Sequence, residues 1–531
     1  MLNEIKKAIA SWFEFDAGYD KFELLETESG EPTFFGNLKR GAEEPPKKPQ
    51  YVEKSLEKNT EKLNIDFHTD VNKDLIFREF LFCKIKKSLA VFINDMAEAR
   101  AINDFILRES MGTDIDINAG DDIIAFAIKN VFTFSEVKVE NVWNKVKQAI
   151  LDGQTAVFID GASEAIIFDT RGFPKRSVTT PDNEKTVLGP KQAFIENIRT
   201  NITLIRRIVR TDDLVCELRD AGGENNISAG IMYRDGITNT NLIKEVKRRM
   251  AKIDMRTVLS SGTVEQMIER SALFPLPLSL STERPDRAAN FIMQGHIVLL
   301  VDGSPLVHVI PITLPVLMAA SEDAYASPAI GGIMRFVRYA GAIISILMPA
   351  IFIAIAMHHL GLLSNEALTT LLSSRKMVSA PIWVELIFLL LIFHLIREAG
   401  MRVPGSIGQA IGIIGGLILG QAAVAANLVS SVVLILIALT GLGNFCIPDY
   451  PTQLSAVYIR LYLIAFSMFG GLLGFFSGLL ILIAIVASVK SFGIPYLAPF
   501  APKTYSKRPF ILRGILGNIK TAVDYTNTED N

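Results

Sequence analysis

Glu385 and His394 stand nine positions apart inside the apolar run 381–396. A carboxylate in such a run either faces a bundle interior or water, or sits near the segment end and snorkels. An imidazole there is either a titrating partner of the carboxylate or an interfacial group. A second set is Gly408, Gly412, Gly416 and Gly420, one glycine every four residues. On a helix these form one smooth face that another helix can approach closely. A second face carries Ile413, Leu417, Gln421 and Val424, within about 40° of one line at 100° per residue. One amide among moderate apolar side chains suits a narrow, hydrophobically gated pore when several copies meet around an axis. Plain packing of helices within one chain uses the same spacing.

Catalytic patterns are missing. The sequence has no GxSxG, no HExxH and no Walker A lysine motif. The glycine-rich text at 412–420 lies in a lipid-length apolar run, which excludes a dinucleotide fingerprint on context. Cys83, Cys216 and Cys446 are widely spaced and read as buried thiols, not as a zinc or disulfide framework. Asp121 with Asp122, and Asp212 with Asp213, read as solvated carboxylates. The basic stretch 244–252 lacks interleaved aromatics, so no nucleic-acid partner is expected. No enzyme activity and no cofactor are expected.

The elements that must hold these residues fall into two kinds. The 531-residue chain has a net charge of −2, but nearly all charge precedes Arg338 or lies in the last thirty residues. Residues 403–448 and 461–489 carry no charged side chain at all. A water-facing helix needs a polar stripe, so these runs belong in a membrane. The expected fold class is two small α/β cytoplasmic subdomains followed by a polytopic α-helical membrane domain. Its parts are a flexible extension at 1–64, α/β subdomains at 65–186 and 187–328, membrane helices at 329–492 and a basic tail at 493–531.

Within the head, 1–20 reads as a short amphipathic helix or a frayed tail. The Pro/Lys/Glu-rich stretch 26–64 reads as a mobile linker. Residues 74–87, 97–111 and 135–151 read as helices, and 88–93 as a strand. In the second subdomain 191–209, 240–253 and 263–270 read as helices, and 216–218 and 228–233 as strands. Two apolar runs flank Asp160-Gly161 and two flank Asp302-Gly303, the hairpin signature. The two hairpins fit either a weak internal duplication or, the reading preferred on sequence, convergent turn chemistry.

In the membrane part, 339–357 is long enough to span, after an interfacial elbow at 330–338. Arg335/Arg338, Arg397/Arg402 and the tail lysines and arginines place three flanks on the cytoplasmic side. Parity then requires that one of the last three apolar stretches be re-entrant, or that 461–489 be broken at Gly470-Gly471.

Several strings resemble one family. TERPD at 282–286, GHIVLLVDGSP at 295–305, REAGMRVP at 397–404, GQAIGIIGGLILGQAAV at 408–424, SFGIPYLAPF at 491–500 and GPKQAFIENIRTNITLIR at 189–206 are similar to motifs of spore germinant receptor A subunits, the GerA family. The resemblance covers about 70–503. It implies an integral protein of the spore inner membrane, with head and C-terminus cytoplasmic. Its implied partners are a transporter-like B subunit that binds nutrient, a lipoprotein C subunit and membrane lipid. It also implies a homo-oligomer, a pentamer, forming a ligand-gated channel that releases monovalent cations. Ile413, Leu417, Gln421 and Val424 would line that pore, with Leu417 at the constriction. The family's further acidic residues along the segment of Glu385 are replaced here by Leu390 and His394. A non-conducting scaffold, or the family's sporulation-stage branch, is the alternative. A secondary transporter would show paired broken helices in both halves, and only one glycine-rich segment is present.

Overall fold

The computed structural model describes residues 50–112, 122–134, 136–172, 180–181, 184–221, 227–253, 258, 260–269, 275–402, 415–502, 526 and 528. The sequence readings at 1–20 and 26–49, with Gly408, Gly412 and Ile413, lie outside these residues.

The first unit runs α1 Leu56–Asp66, β1 Leu75–Phe82, β2 Lys86–Ile93, then a helical run α2 made of Ala99–Ile102, a π turn Asn103–Leu107 and Arg108–Gly112. It continues with α3 Ile123–Asn130, β3 Val137–Glu140, α4 Trp143–Leu151, β4 Thr155–Ile159 and β5 Ala165–Phe168. The five strands form one antiparallel sheet in the order β1-β2-β4-β5-β3. Both faces of the sheet are covered. Ala156 and Phe158 pack with Leu63, Phe67, Trp143 and Ile150 on one side. Val157 and Ile159 pack with Ile102, Ile106, Ile124 and Ala127 on the other. This explains why β4 and β5 read as unbroken apolar runs and do not alternate.

Three readings change. Residues 74–87 are a strand and the start of its partner: Leu75 to Phe82 pair with Ile93 to Lys86 over eight positions. Residues 135–151 begin with β3 before α4 starts at Trp143. The linker expectation fails for 56–66, because α1 buries Leu63 and Phe67 in the first core and Asp66 accepts the Trp143 indole N–H at 2.8 Å. The first subdomain therefore begins before residue 65.

The second unit runs α5 Ile198–Ile208, β6 Leu214–Ala221, β7 Ile227–Arg234, α6 Thr240–Ala251, α7 Ser261–Glu269, β8 Leu280–Thr282, α8 Pro285–Ile292, β9 Ile297–Val301 and β10 Val307–Ile310. Its sheet order, β6-β7-β9-β10-β8, repeats that of the first unit strand for strand. The repetition extends to single hydrogen bonds. Asp160 Oδ1 accepts the N–H of Leu56, and Asp302 Oδ1 accepts that of Ile198. Asn59 clamps Glu53 through both backbone groups, and Asn201 clamps Ile195 likewise. The paired positions are all 142 apart (160 to 302, 56 to 198, 59 to 201, 53 to 195). Local turn chemistry does not dictate a shared sheet order or a shared register. The two units are copies of one fold, and the convergent reading of the hairpins gives way to duplication.

The helical layer follows: α9 Pro328–His358, α10 Asn365–Arg375, α11 Ile382–Arg402, a π turn Gly415–Leu419 leading into α12 Gly420–Ala425, α13 Ser431–Phe445 and α14 Tyr450–Ser488. Among the described residues, α9 and α14 are long and apolar enough to cross a membrane. No elbow interrupts α9, which is continuous from Pro328. The stretch α14 is two helices. Gly471 takes φ 57° and ψ −139°, which a side chain tolerates poorly. Beyond it the chain doubles back: Tyr462 Oη donates to the Gly478 carbonyl at 3.2 Å, and a Cβ on Gly478 would lie 2.9 Å from Phe466 Cβ. On a continuous helix residues sixteen apart would be about 24 Å apart. Both ends of this hairpin reach the second unit, through Ser455 Oγ to the Pro275 carbonyl and Ser491 Oγ to the Leu278 carbonyl. The core of the second unit's α5 and α8 face is continuous with that of the layer.

Candidate functional site

The glycine segment enters the described residues at Gly415. The π turn Gly415–Leu419 widens the helix by bonding i to i+5, so a 3.6-residue wheel drawn from 413 to 424 does not hold across it. Gly420 faces α13: a Cβ there would meet both Leu434 methyls at 3.7 Å. Gly416 faces open space. Gln421 is exposed, and Val424 is half-buried against the core of the layer. Leu417 lies in the π turn. Gly416 and Gly420 thus do not share one packed face.

Glu385 sits in the first turn of α11 with its side chain fully buried. Its Oε1 accepts from both the backbone N–H and the hydroxyl of Ser430, and its Oε2 lies 3.3 Å from Arg375 Nε. Ser430 is the N-cap of α13, and its own hydroxyl accepts from Val433 N. The carboxylate therefore ties α10, α11 and α13 together. It also sits at the positive end of the α13 dipole, where an anion is favoured. The snorkelling alternative does not apply, because the oxygens face other helices. His394 is not its partner. Its Nδ1 donates to the Leu390 carbonyl at 2.7 Å, and its Nε2 is buried with no partner.

Two features escaped the sequence reading. Arg460, ten residues into α14, is 1% exposed. Its Nε donates to the Ser345 carbonyl at 2.7 Å, and its Nη2 donates to Ser345 Oγ at 2.7 Å and Asn444 Oδ1 at 3.0 Å. On the sequence it marked only the edge of the charge-free run 461–489. A tight contact between helices lies at Gly341 of α9 and Gly443 of α13. A Cβ on Gly443 would strike the Gly341 carbonyl, and one on Gly341 would sit 2.7 Å from Cys446 Cβ. Neither glycine belongs to a repeat, so spacing carried no signal.

The head is fastened to α9 by charge. Asp323 accepts from Arg335 Nε at 2.9 Å and from Arg338 Nη1 at 2.8 Å. Burial alone would raise the Asp323 carboxyl. The two guanidinium groups more than offset that and hold it below the usual carboxylate range. The TERPD string does related work one layer up. Arg284 is fully buried, donating to Thr186 Oγ1 and Asp286 Oδ2 at 2.8 Å and to the Pro190 carbonyl at 3.1 Å. Thr282 and Arg287 both engage Glu184, and Arg287 reaches the Ala319 carbonyl at 2.9 Å. Between the two repeats, Arg206 pairs with buried Asp74 and donates to Asn72 Oδ1 at 3.0 Å.

A sequence model of the Bacillus/Clostridium GerA spore germination protein family matches residues 61–522. The chain is 35% identical over 366 residues to spore germination protein KA of Bacillus subtilis (strain 168), covering 69% of this chain and 67% of that protein. It is 32% identical over 461 residues to spore germination protein GerLA of Bacillus cereus, covering 86% and 93%. The N-terminal domain of the A subunit of the Bacillus megaterium spore germinant receptor GerK3 aligns at a TM-score of 0.38 and 26% identity, over 49% of this chain and 96% of that one.

Proposed function

This chain belongs to the GerA family of spore germination proteins, and from that premise we propose that it is the A-type membrane subunit of a nutrient receptor and conducts ions. Copies assemble around an axis, as a pentamer, with the 415–424 segment toward the centre. Head and C-terminus lie on the cytoplasmic side of the spore inner membrane. The layer crosses by α9, by α11 and by the apolar stretches that follow, with α14 broken at Gly471. Nutrient bound by a transporter-like B subunit, with a lipoprotein C subunit beside it, opens a path for monovalent cations.

The observation that carries this reading is Gln421. An amide exposed in α12 just after a glycine-flanked π turn, within an uncharged stretch, is costly against lipid and comfortable against water or another copy. Leu417, one turn earlier, is the gate in this reading, and Ile413 and Val424 complete the lining. The Asp323–Arg335/Arg338 contact is the route by which the head moves α9.

Replacing Leu417 with Ala tests the gate. Spores carrying it leak monovalent cations and germinate without nutrient; unchanged ion flux and germination would remove Leu417 from that role. Thiol labelling of single cysteines at 413, 417, 421 and 424 tests the lining. Labelling confined to Gly408, Gly412, Gly416 and Gly420 positions would place water on the other face. A purified membrane part that stays monomeric would exclude a shared axial pore and leave a docking scaffold.

A further inference from the structure

Three nitrogen-bearing side chains gather between α11 and α14 without a carboxylate among them. Arg460 spends its described bonds on neutral oxygens. Arg397, on α11, lies over the Tyr450 ring at 5.7 Å, and its Nη1 is buried and takes no hydrogen bond. His394, one turn earlier, holds a buried and unpartnered Nε2. His394 and Arg397 are one turn apart on α11, and the Tyr450 contact sets that helix against α14, which carries Arg460.

Among the described residues no carboxylate pairs with Arg397 or Arg460. Residues 403–448 and 461–489 have no acidic side chain. Asp449 Oδ2 is taken by the N–H and hydroxyl of Thr452. Glu398 is exposed and points about 100° around α11 from Arg397. A buried guanidinium nitrogen without an acceptor, as at Arg397 Nη1, is expensive, and an anion removes the penalty.

We propose that Arg397, Arg460 and His394 form a phosphate-type oxyanion site, filled by the headgroup of an anionic phospholipid. The level is right for a headgroup. Tyr450 opens α14 at the end that Ser455 fastens to the second unit, where aromatic and basic residues meet the lipid interface. The frame is right for acyl chains: Leu391 and Leu395 on α11, and Leu442 and Phe445 on α13, are exposed. Arg397 Nη1 donates to a phosphate oxygen. His394 Nε2 is a second donor when its ring carries both protons. The lipid source rests on the membrane reading of the layer, which flotation of the same chain with vesicles checks separately.

The full chain, stripped of lipid in detergent, is melted with phosphatidylglycerol, with phosphatidylcholine and with inorganic phosphate. Phosphatidylglycerol raises the midpoint in the wild type, and Arg397→Gln weakens the apparent affinity about tenfold or more. His394→Gln weakens it less, and Glu398→Gln leaves it unchanged. A rise with phosphatidylglycerol but not with phosphate assigns the headgroup. An equal rise with phosphate assigns a free anion to the same site. No rise with either, an equal rise with phosphatidylcholine, or an Arg397→Gln protein that responds like the wild type would overturn the site. Arg460 is left intact in every variant, because its loss can unfold the layer.

Discussion

Replacing Glu385 with Ala should weaken the helical layer by about 3 kcal/mol. The carboxylate is fully buried and accepts from two donors of Ser430 and from Arg375. Charge-assisted hydrogen bonds contribute roughly 1.5–3 kcal/mol each, and removing one partner of a buried pair costs about 3–5 kcal/mol. Arg375 is 25% exposed and rehydrates when released, which puts the expectation at the low end of that range. Glu385→Gln keeps an acceptor for the Ser430 N–H but loses the charge, and should cost about half as much. The measurement is reversible denaturant unfolding of the full chain in mixed micelles, read at constant slope. A double-mutant cycle of Glu385→Ala with Ser430→Ala should give a coupling of about 1–2 kcal/mol. A Glu385→Ala protein within about 0.5 kcal/mol of the wild type, with no coupling to Ser430, is the surface-like response and would refute the tie.

Three further outcomes are expected. Gly443→Ala forces α9 and α13 apart and should cost roughly 2–4 kcal/mol in the same assay, whereas Gly416→Ala, with open space at its Cβ, should cost under about 1 kcal/mol. Asp323 has a lowered pKa when folded, so its ion pairs contribute fully above about pH 4 and are lost as pH falls through the lower folded value; Asp323→Asn should flatten the acid limb of stability and cost roughly 1–3 kcal/mol at neutral pH. Glu269 is pushed up to about 8 by burial and by the Glu265 carboxylate. The stability this protonated group contributes is full below about pH 4.5 and lost as pH rises through about 8, and Glu269→Gln should remove that loss from a pH series of melting midpoints.

The hairpins around Asp160 and Asp302 were legible because an Asp-Gly turn between two apolar runs has few other solutions. Their kinship was not, because it rests on sheet order and on bonds between residues such as Leu56 and Asp160, more than a hundred positions apart. Residues 74–87 were misread because Phe77, Phe80 and Leu81 also fit a helical period. Only the pairing of Leu75–Phe82 with Lys86–Ile93 selects the strand. Glu385 was visible as a charge in an apolar run, but its partners Arg375 and Ser430 lie 10 and 45 positions away and carry no local mark. The break in the last apolar stretch was reached from charge parity, as one of two options. The structure has that break, at Gly471. Arg460 was missed because one basic residue at the margin of an apolar run looks like a flank, and burial by Ser345 and Asn444 cannot be seen without their helices.

The duplicated head has a consequence for inheritance. Of the two copies of one fold, it is the second, among the described residues, whose hydrogen bonds at this edge reach the helical layer, through Pro275 and Leu278 next to β8. Counting back 142 positions, the matching edge of the first copy is 133–136, before β3, and among the described residues no hydrogen bond joins it to the layer. The second edge can drift only if the layer drifts with it. The first is free to diversify at little structural expense. Related chains should therefore vary most along the first copy's edge, the place where one receptor can come to differ from its siblings without disturbing the common machinery beneath.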